Sequence, residues 1–266
     1  MKTSICRSPQ GQARYAVLGD IHANLEALTA VLTDAREQRC SHHACVGDVV
    51  GYNANPGECL DIIRNMGMPC VKGNHDEYCS TGDALVGISP RASAATHWTR
   101  KRLEPADKQW LRELKYIRLT AGFSLVHATL DTPQSWGYVF DKLAAAASFN
   151  YQNTSVCFFG HTHLPIAFIR DAAVRGGSYS KFKVEPGRKY FVNVGSVGEP
   201  RDGNPFAAYV IHDLAESSIE LRRVPYDIDE TDAKVRAAGL PDRLRPKSLT
   251  QAFDITRFAA EEATSL

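Results

Sequence analysis

Five short stretches of this chain place metal-donor side chains directly after apolar or glycine-marked residues. They are Gly19-Asp20-Ile21-His22, Gly47-Asp48, Gly73-Asn74-His75-Asp76, Val126-His127 and Gly160-His161-Thr162-His163. A carboxylate and an imidazole together suit borderline divalent ions such as Mn, Fe, Zn, Co or Ni. Asp20 and His22 are two apart, as are His161 and His163, so each pair can turn both side chains toward one point just past a strand end. Asp48 has two oxygens and can bridge, and Asn74 can add a carbonyl oxygen. The set predicts two divalent transition-metal ions, Mn foremost, held by Asp20, His22, Asp48, Asn74, His127, His161 and His163. Such a pair lies roughly 3.5–4 Å apart, shares a bridging hydroxide, and sets it in line for attack at phosphorus. His75 follows the ligand Asn74. At the edge of the site it can protonate a leaving oxygen, with Asp76 orienting it and raising its pKa. One Gly-Asp turn or one buried His would carry no such reading. Five of the nine His falling in these strand ends do. The other four, His42, His43, His97 and His212, read as surface, loop or core residues.

The elements that must deliver these residues follow from apolar periodicity. Residues 14–19 read as a buried strand. Asn24 can cap a helix whose one face carries Leu25, Leu28, Val31, Leu32 and Ala35. Residues 43–46 predict a second strand. Asn55 then caps and Pro56 opens a helix striped by Leu60, Ile63 and Met66, and 70–72 predict a third strand. Strand-helix-strand-helix-strand implies parallel pairing with right-handed crossovers. Helices follow at 90–103 and 105–114, with Trp98 and Trp110 as core anchors. Strands come next at 117–119 and 123–127, around an Ala121-Gly122 turn. A loop at 131–139, a helix at 142–150 and a strand at 156–159 complete the motif region. Runs at 164–170, 189–194, 206–212 and 219–224 predict an antiparallel group interrupted by an insertion at 171–188. From residue 229 a helical tail follows, broken near Pro241 and Pro246. One domain over 1–266 is expected, with a core at about 14–224. Its class is α/β, with two sheets face to face and helices outside.

Whole-chain properties narrow the function. The chain has 266 residues, 44% of them hydrophobic, and a net charge of +1, which gives no steering onto a membrane or a long nucleic acid. No apolar run approaches a membrane span. The first residues lack the apolar region of a signal peptide. The 7 Cys form no Cys-x-x-Cys pair. Cys45, Cys70 and Cys157 read as small core residues rather than zinc ligands. A reducing cytoplasm is the expected compartment.

The five stretches resemble the motif blocks of the calcineurin-like metallophosphoesterase superfamily. Gly47-Asp48-Val49-Val50-Gly51-Tyr52 and residues 193–203, Asn-Val-Gly-Ser-Val-Gly-Glu-Pro-Arg-Asp-Gly, are similar to its small bacterial and archaeal phosphodiesterase branch. The resemblance implies a four-layer α/β/β/α sandwich. One metal falls to Asp20, His22, Asp48 and His163, the other to Asp48, Asn74, His127 and His161, and His75 matches the general acid with Asp76 its partner. Phosphatases of the superfamily carry an Arg shortly after the second block, where this chain has Val49-Val50-Gly51-Tyr52-Asn53. An Arg there is the natural bidentate grip for a phosphomonoester dianion. Its absence favours small phosphodiesters or nucleotides as substrates. Arg201 in the late block reads equally as the phosphate grip or as a loop-stabilising ion pair, and Tyr52, Asn53 and Asn55 at the mouth as leaving-group contacts or as shapers of the turn. The alternatives are an asymmetrical dinucleoside polyphosphate hydrolase, a serine/threonine protein phosphatase, and a catalytically idle scaffold. Every ligand position is filled, which speaks against the scaffold.

Overall fold

Strand β1 (Arg14–Leu18) sets the layering. Tyr15 and Val17 enter one apolar cluster, while Ala16 and Leu18 enter another. A strand that is apolar on both faces must be covered on both. The computed structural model, which describes residues 13–242, meets that demand with two sheets and helices on their outer faces. In the first sheet β1 pairs in parallel with β2 (His42–Cys45) and antiparallel with β10 (Ala207–Asp213). It continues through β11 (Ser218–Val224) to β8 (Lys181–Lys183). The second sheet holds β3 (Ile117–Thr120), β4 (Phe123–Val126), β5 (Val156–Phe159), β9 (Lys189–Asn193), β6 (Ala167–Arg170) and β7 (Val174–Gly177), in that spatial order. Strands β4, β5 and β9 are parallel.

Three apolar clusters separate the four layers. Helices α1 (Leu25–Glu37) and α2 (Pro56–Asn65) cover the outer face of the first sheet through Leu28, Val31, Leu60 and Ile63. Between the sheets lie Val17, Val46, Phe123, Phe158, Val192 and Val210. Helix α6 (Lys142–Tyr151) covers the second sheet through Ala145 and Phe149. Strand β5 repeats the alternation of β1, with Val156 and Phe158 between the sheets and Cys157 and Phe159 under α6. The expected α/β/β/α sandwich is therefore the observed one. Helices α3 (Asn74–Ser80), α4 (Pro90–Arg102) and α5 (Pro105–Glu113) pack beside the first sheet, and α7 (Ile228–Ala237) packs on α1.

Several local expectations fail for physical reasons. Residues 70–72 make only isolated bridges, Cys45 to Cys70 and Val71 to Lys115, because the chain turns into α3 at Asn74. The four late runs are not one antiparallel group. Strands β6 and β9 join the second sheet, whereas β10 and β11 join the first. The insertion is itself structured: β7 pairs with β6 and β8 with β11. Asn24 caps α1 by accepting from the Ala27 amide at 3.1 Å. Asn55 stands at the start of α2 without such a bond, and its amide donates to Glu58 Oε1 instead. Cys45, Cys70 and Cys157 are buried core residues with free thiols. His212 is buried with its ring edge-on to Phe123 and Phe158. Trp98 and Trp110 are half-buried at the cluster margins. The break at Pro246 lies outside the described residues. Among those residues no helix is long and apolar enough to cross a membrane.

Phe158 is fully buried between the sheets. Phe158→Ala is expected to cost about 3–5 kcal/mol of unfolding free energy, measured by urea denaturation.

Candidate metal centre

The parallel strands of both sheets end at one rim. β1 runs out into Gly19-Asp20, β2 into Val46-Gly47-Asp48, β4 into His127 and β5 into Gly160-His161. Carboxyl ends of parallel strands are where α/β folds place their ligand sites. Main-chain bonds stitch the loops together. The Asp20 amide donates to Gly47 O at 3.0 Å, His22 to Asp48 O at 2.9 Å, and Gly160 to His127 O at 2.9 Å. The His161 amide donates to the Asp20 carboxylate at 3.1 Å, joining one sheet to the other. The turns are tight enough that Asp20, His22, Asp48, Tyr52, His161 and His163 all adopt left-handed backbone conformations, with φ between 49° and 68°. Non-glycine residues rarely accept this region, and such strain concentrates at functional sites.

Three donor groups result, each with ligand atoms within 4.8 Å of one another: Asp20, His22 and His163; His22, Asp48 and His75; Asp48, His127 and His161. Asp48 Oδ2 lies 3.6 Å from His22 Nε2 and 3.4 Å from His127 Nε2. Its other oxygen accepts the His75 amide at 2.8 Å. One oxygen of Asp48, rather than both, therefore faces the two ligand sets. Asn74 Oδ1 lies 3.1 Å from His127 Nε2, so the seven expected ligands converge.

The donor chemistry fits cations. His22 Nδ1 donates to Val50 O at 3.1 Å and His163 Nδ1 to Glu199 O at 2.6 Å. A carbonyl can only accept, so both Nδ1 atoms carry hydrogen. Burial holds His22 down to about 4 and His163 well below its ordinary value, so both rings are neutral. Their Nε2 lone pairs then face each other across 3.1 Å, an arrangement that calls for a positive ion between them. His127 Nδ1 donates to Val46 O at 2.8 Å and His161 Nε2 to Trp136 O at 2.9 Å, which turns the remaining nitrogens inward. Burial pulls His127 down, but the Asp48 carboxylate and then Asp20 outweigh it and lift the ring to about 10. Burial pushes Asp20 up to about 7, with His127 opposing and Asp48 reinforcing. Burial acts on Asp48 as well, yet the charge of His127 keeps it well below the usual carboxylate range.

The supporting residues differ in part from expectation. Asp76 does not orient His75. Its carboxylate accepts the amides of Asp48 (2.8 Å), Val49 (2.9 Å), Val50 (3.3 Å) and Gly73 (3.0 Å), clamping the second motif loop to the third. His75 is instead held down to about 3 by burial, and its Nδ1 is buried without a partner. Asn53 does not line the mouth. It is 1% exposed, and its amide donates to His22 O at 2.7 Å, fixing the turn. Tyr52 packs edge-on against His22 and tilted against His75. Arg201 reaches the rim, 5.7 Å from the Tyr52 ring centre, and donates to Glu199 Oε1 at 3.2 Å. Arg91, on α4, gave no sequence signal. It makes a fork of 2.8 and 2.7 Å bonds to the Glu199 carboxylate and stacks on Tyr52 at 4.5 Å.

Residues 14–217 match the calcineurin-like phosphoesterase superfamily domain. The chain belongs to that superfamily. A metallophosphoesterase from Sphaerobacter thermophilus is 35% identical, with a TM-score of 0.76 over 86% of this chain and 95% of that one. Protein MJ0912 of Methanocaldococcus jannaschii is 35% identical over 237 residues, 88% of this chain and 96% of its own. Protein PH1004 of Pyrococcus horikoshii shares the fold, with a TM-score of 0.69 at 19% identity over 86% of this chain and 94% of that one. Membership makes the chain a hydrolase of metallophosphoesterase type, and its clustered His and Asp side chains supply candidate metal-binding groups.

Asp76→Ala leaves several buried peptide N–H groups without an acceptor. It is expected to lower unfolding free energy by about 3 kcal/mol or more, read by denaturation, and to weaken Mn²⁺ binding in calorimetric titration. Unchanged metal affinity would remove Asp76 from the support of the site.

Proposed function

We propose that this metallophosphoesterase hydrolyses small phosphodiesters or nucleotides at a binuclear centre organised on Asp48. The observation that carries the reading is the single Asp48 oxygen facing His22 on one side and His127 on the other. Asp20, His22, Asp48 and His163 would hold one ion, and Asp48, Asn74, His127 and His161 the second. The mixed oxygen and nitrogen donors suit Mn, with Fe, Zn, Co and Ni as competitors. Bound there, the ions supply Lewis-acid polarisation of phosphoryl oxygens and a water of lowered pKa.

The chain's own groups do the rest. The buried ligands exclude bulk water, which strengthens every electrostatic contact at the reacting centre. His75 packs against both Tyr52 and His22, with its backbone amide on Asp48. It would protonate the leaving oxygen as the ester bond to phosphorus breaks. Gly51, at φ 92°, makes room for that ring: a Cβ there would meet His75 Nδ1 at 2.6 Å. The Arg201 side chain is 29% exposed at the rim, and its guanidinium would donate to a phosphoryl oxygen. Arg91, Glu199 and Arg201 together carry one net positive charge. That balance complements a diester monoanion better than a monoester dianion. Asn74 lies beside His127, in the second ligand set, and can contact the bound phosphoryl group as well as metal.

With Mn²⁺ added, bis-p-nitrophenyl phosphate should be cleaved faster than p-nitrophenyl phosphate, and chelation should abolish both rates until metal is restored. Preferential cleavage of the monoester would overturn the diester reading. His75→Ala should keep its metal content by elemental analysis. Its turnover should fall about 10²–10⁴-fold on diesters with alkoxide leaving groups and far less on p-nitrophenolate esters. A parallel loss of metal would instead make His75 a ligand.

A further inference from the structure

We infer that Tyr138 is a specificity-determining wall of this site, against which a nucleobase of the substrate stacks. The inference rests on the phosphoesterase reading above and narrows its substrate class to nucleotides.

Tyr138 is 54% exposed, yet it is not loosely placed. Its ring lies parallel to that of the ligand His161, with centres 4.3 Å apart and planes 19° from each other. Phe140, 46% exposed, lies parallel to Tyr138 at 5.3 Å and 9°. Between them Val139 is buried in the cluster under α6. The alternation fixes the backbone from inside and presents two aromatic rings outside. The loop is tied down again at Trp136. Its carbonyl accepts the His161 Nε2 hydrogen at 2.9 Å, and its ring packs near His127 and Tyr116. Trp136 takes a left-handed conformation, φ 53°, to direct that carbonyl.

Large aromatic side chains held rigidly in water beside a polar site act as binding surface. The Trp136 carbonyl tether could come from any residue type and does not itself require a tyrosine ring two positions later. The charged groups cluster at the other ligand set: Arg91 and Arg201 lie over Tyr52, whose ring meets His22. The rim thus offers guanidinium on the His22 side and aromatic surface on the His161 side. A nucleotide has the matching halves, a phosphate for the first and a flat base for the second. Base–aromatic stacking tolerates any base, since each has a π-face. An aliphatic ester, such as a glycerol phosphodiester, has nothing to place there.

The test compares two ligands that differ only in the base. Full-length protein loaded with Mn²⁺ is titrated calorimetrically with adenosine 5′-monophosphate and with ribose 5-phosphate. Wild type should bind the nucleotide about tenfold more tightly or better. In Tyr138→Ala the ratio should fall to within about twofold, and Tyr138→Phe should restore it, because the ring and not the hydroxyl carries the contact. Thermal melts check that both variants fold. Equal affinities in wild type, or a ratio that survives Tyr138→Ala, overturn the inference. The hydrolytic reading fails separately, by absence of metal-dependent turnover on either p-nitrophenyl ester.

Discussion

Each of four imidazoles in the site holds one ring nitrogen on a main-chain carbonyl, and the rest of the structure keeps those carbonyls in place. Val50 serves His22, Val46 serves His127, Trp136 serves His161 and Glu199 serves His163. The tether sets the orientation of each ring, and so which nitrogen turns inward. His161 is tethered through Nε2 and the other three through Nδ1, so one ring presents the opposite edge. The carbonyls come from loops after β2, β4 and β9. No single loop, and neither sheet alone, can assemble the centre. Packing of Val46, Phe158 and Val194 between the sheets is thereby coupled to ligand geometry.

Convergence of this kind stores conflict. Two carboxylates and several neutral imidazoles are buried within a few ångströms, on loops that force side-chain-bearing residues into left-handed backbone. Asp76 is the main counterweight. By accepting four amides it neutralises the open N–H ends of two motif loops at once. Gly73 is required beside it, since a Cβ at that position would sit 2.1 Å from Asp48 Oδ1. The Arg91 fork does the same for the late block. It neutralises buried Glu199, lowered to about 2 because the hydrogen bonds and charge of Arg91 outweigh burial, and so steadies the carbonyl that holds His163.

The sequence made the candidate donors legible because metal-donor chemistry calls for particular side chains at fixed offsets from strand ends. The β1-to-β2 crossover and the strand at 156–159 were legible for the same reason: each is local. What escaped is what main-chain atoms do. A carbonyl acceptor such as Trp136 O has no residue-type signature. Nor did Asp76 look different as a partner of His75 than as a clamp for the preceding loop. Arg91 and Glu199 are 108 positions apart, and only the packing of α4 against the late block brings them together. Asn53 looked like a mouth residue because it follows the motif. It is buried because the turn needed an internal donor. The late strands read as one group because antiparallel periodicity does not say which sheet a strand will join.

The excursion at 171–188 has a consequence at one margin of each sheet. Strand β7 closes the free side of the second sheet, and β8 closes that of the first. Both are short, and β8 carries Lys181 and Lys183, each ion-paired with a glutamate of the β11 hairpin. Unpaired strand borders are templates for stacking onto other chains. A single ribbon that ends both sheets in brief, cationic strands guards those two borders, one per sheet, against such stacking. It also straps the two halves together on the side away from β2 and β3.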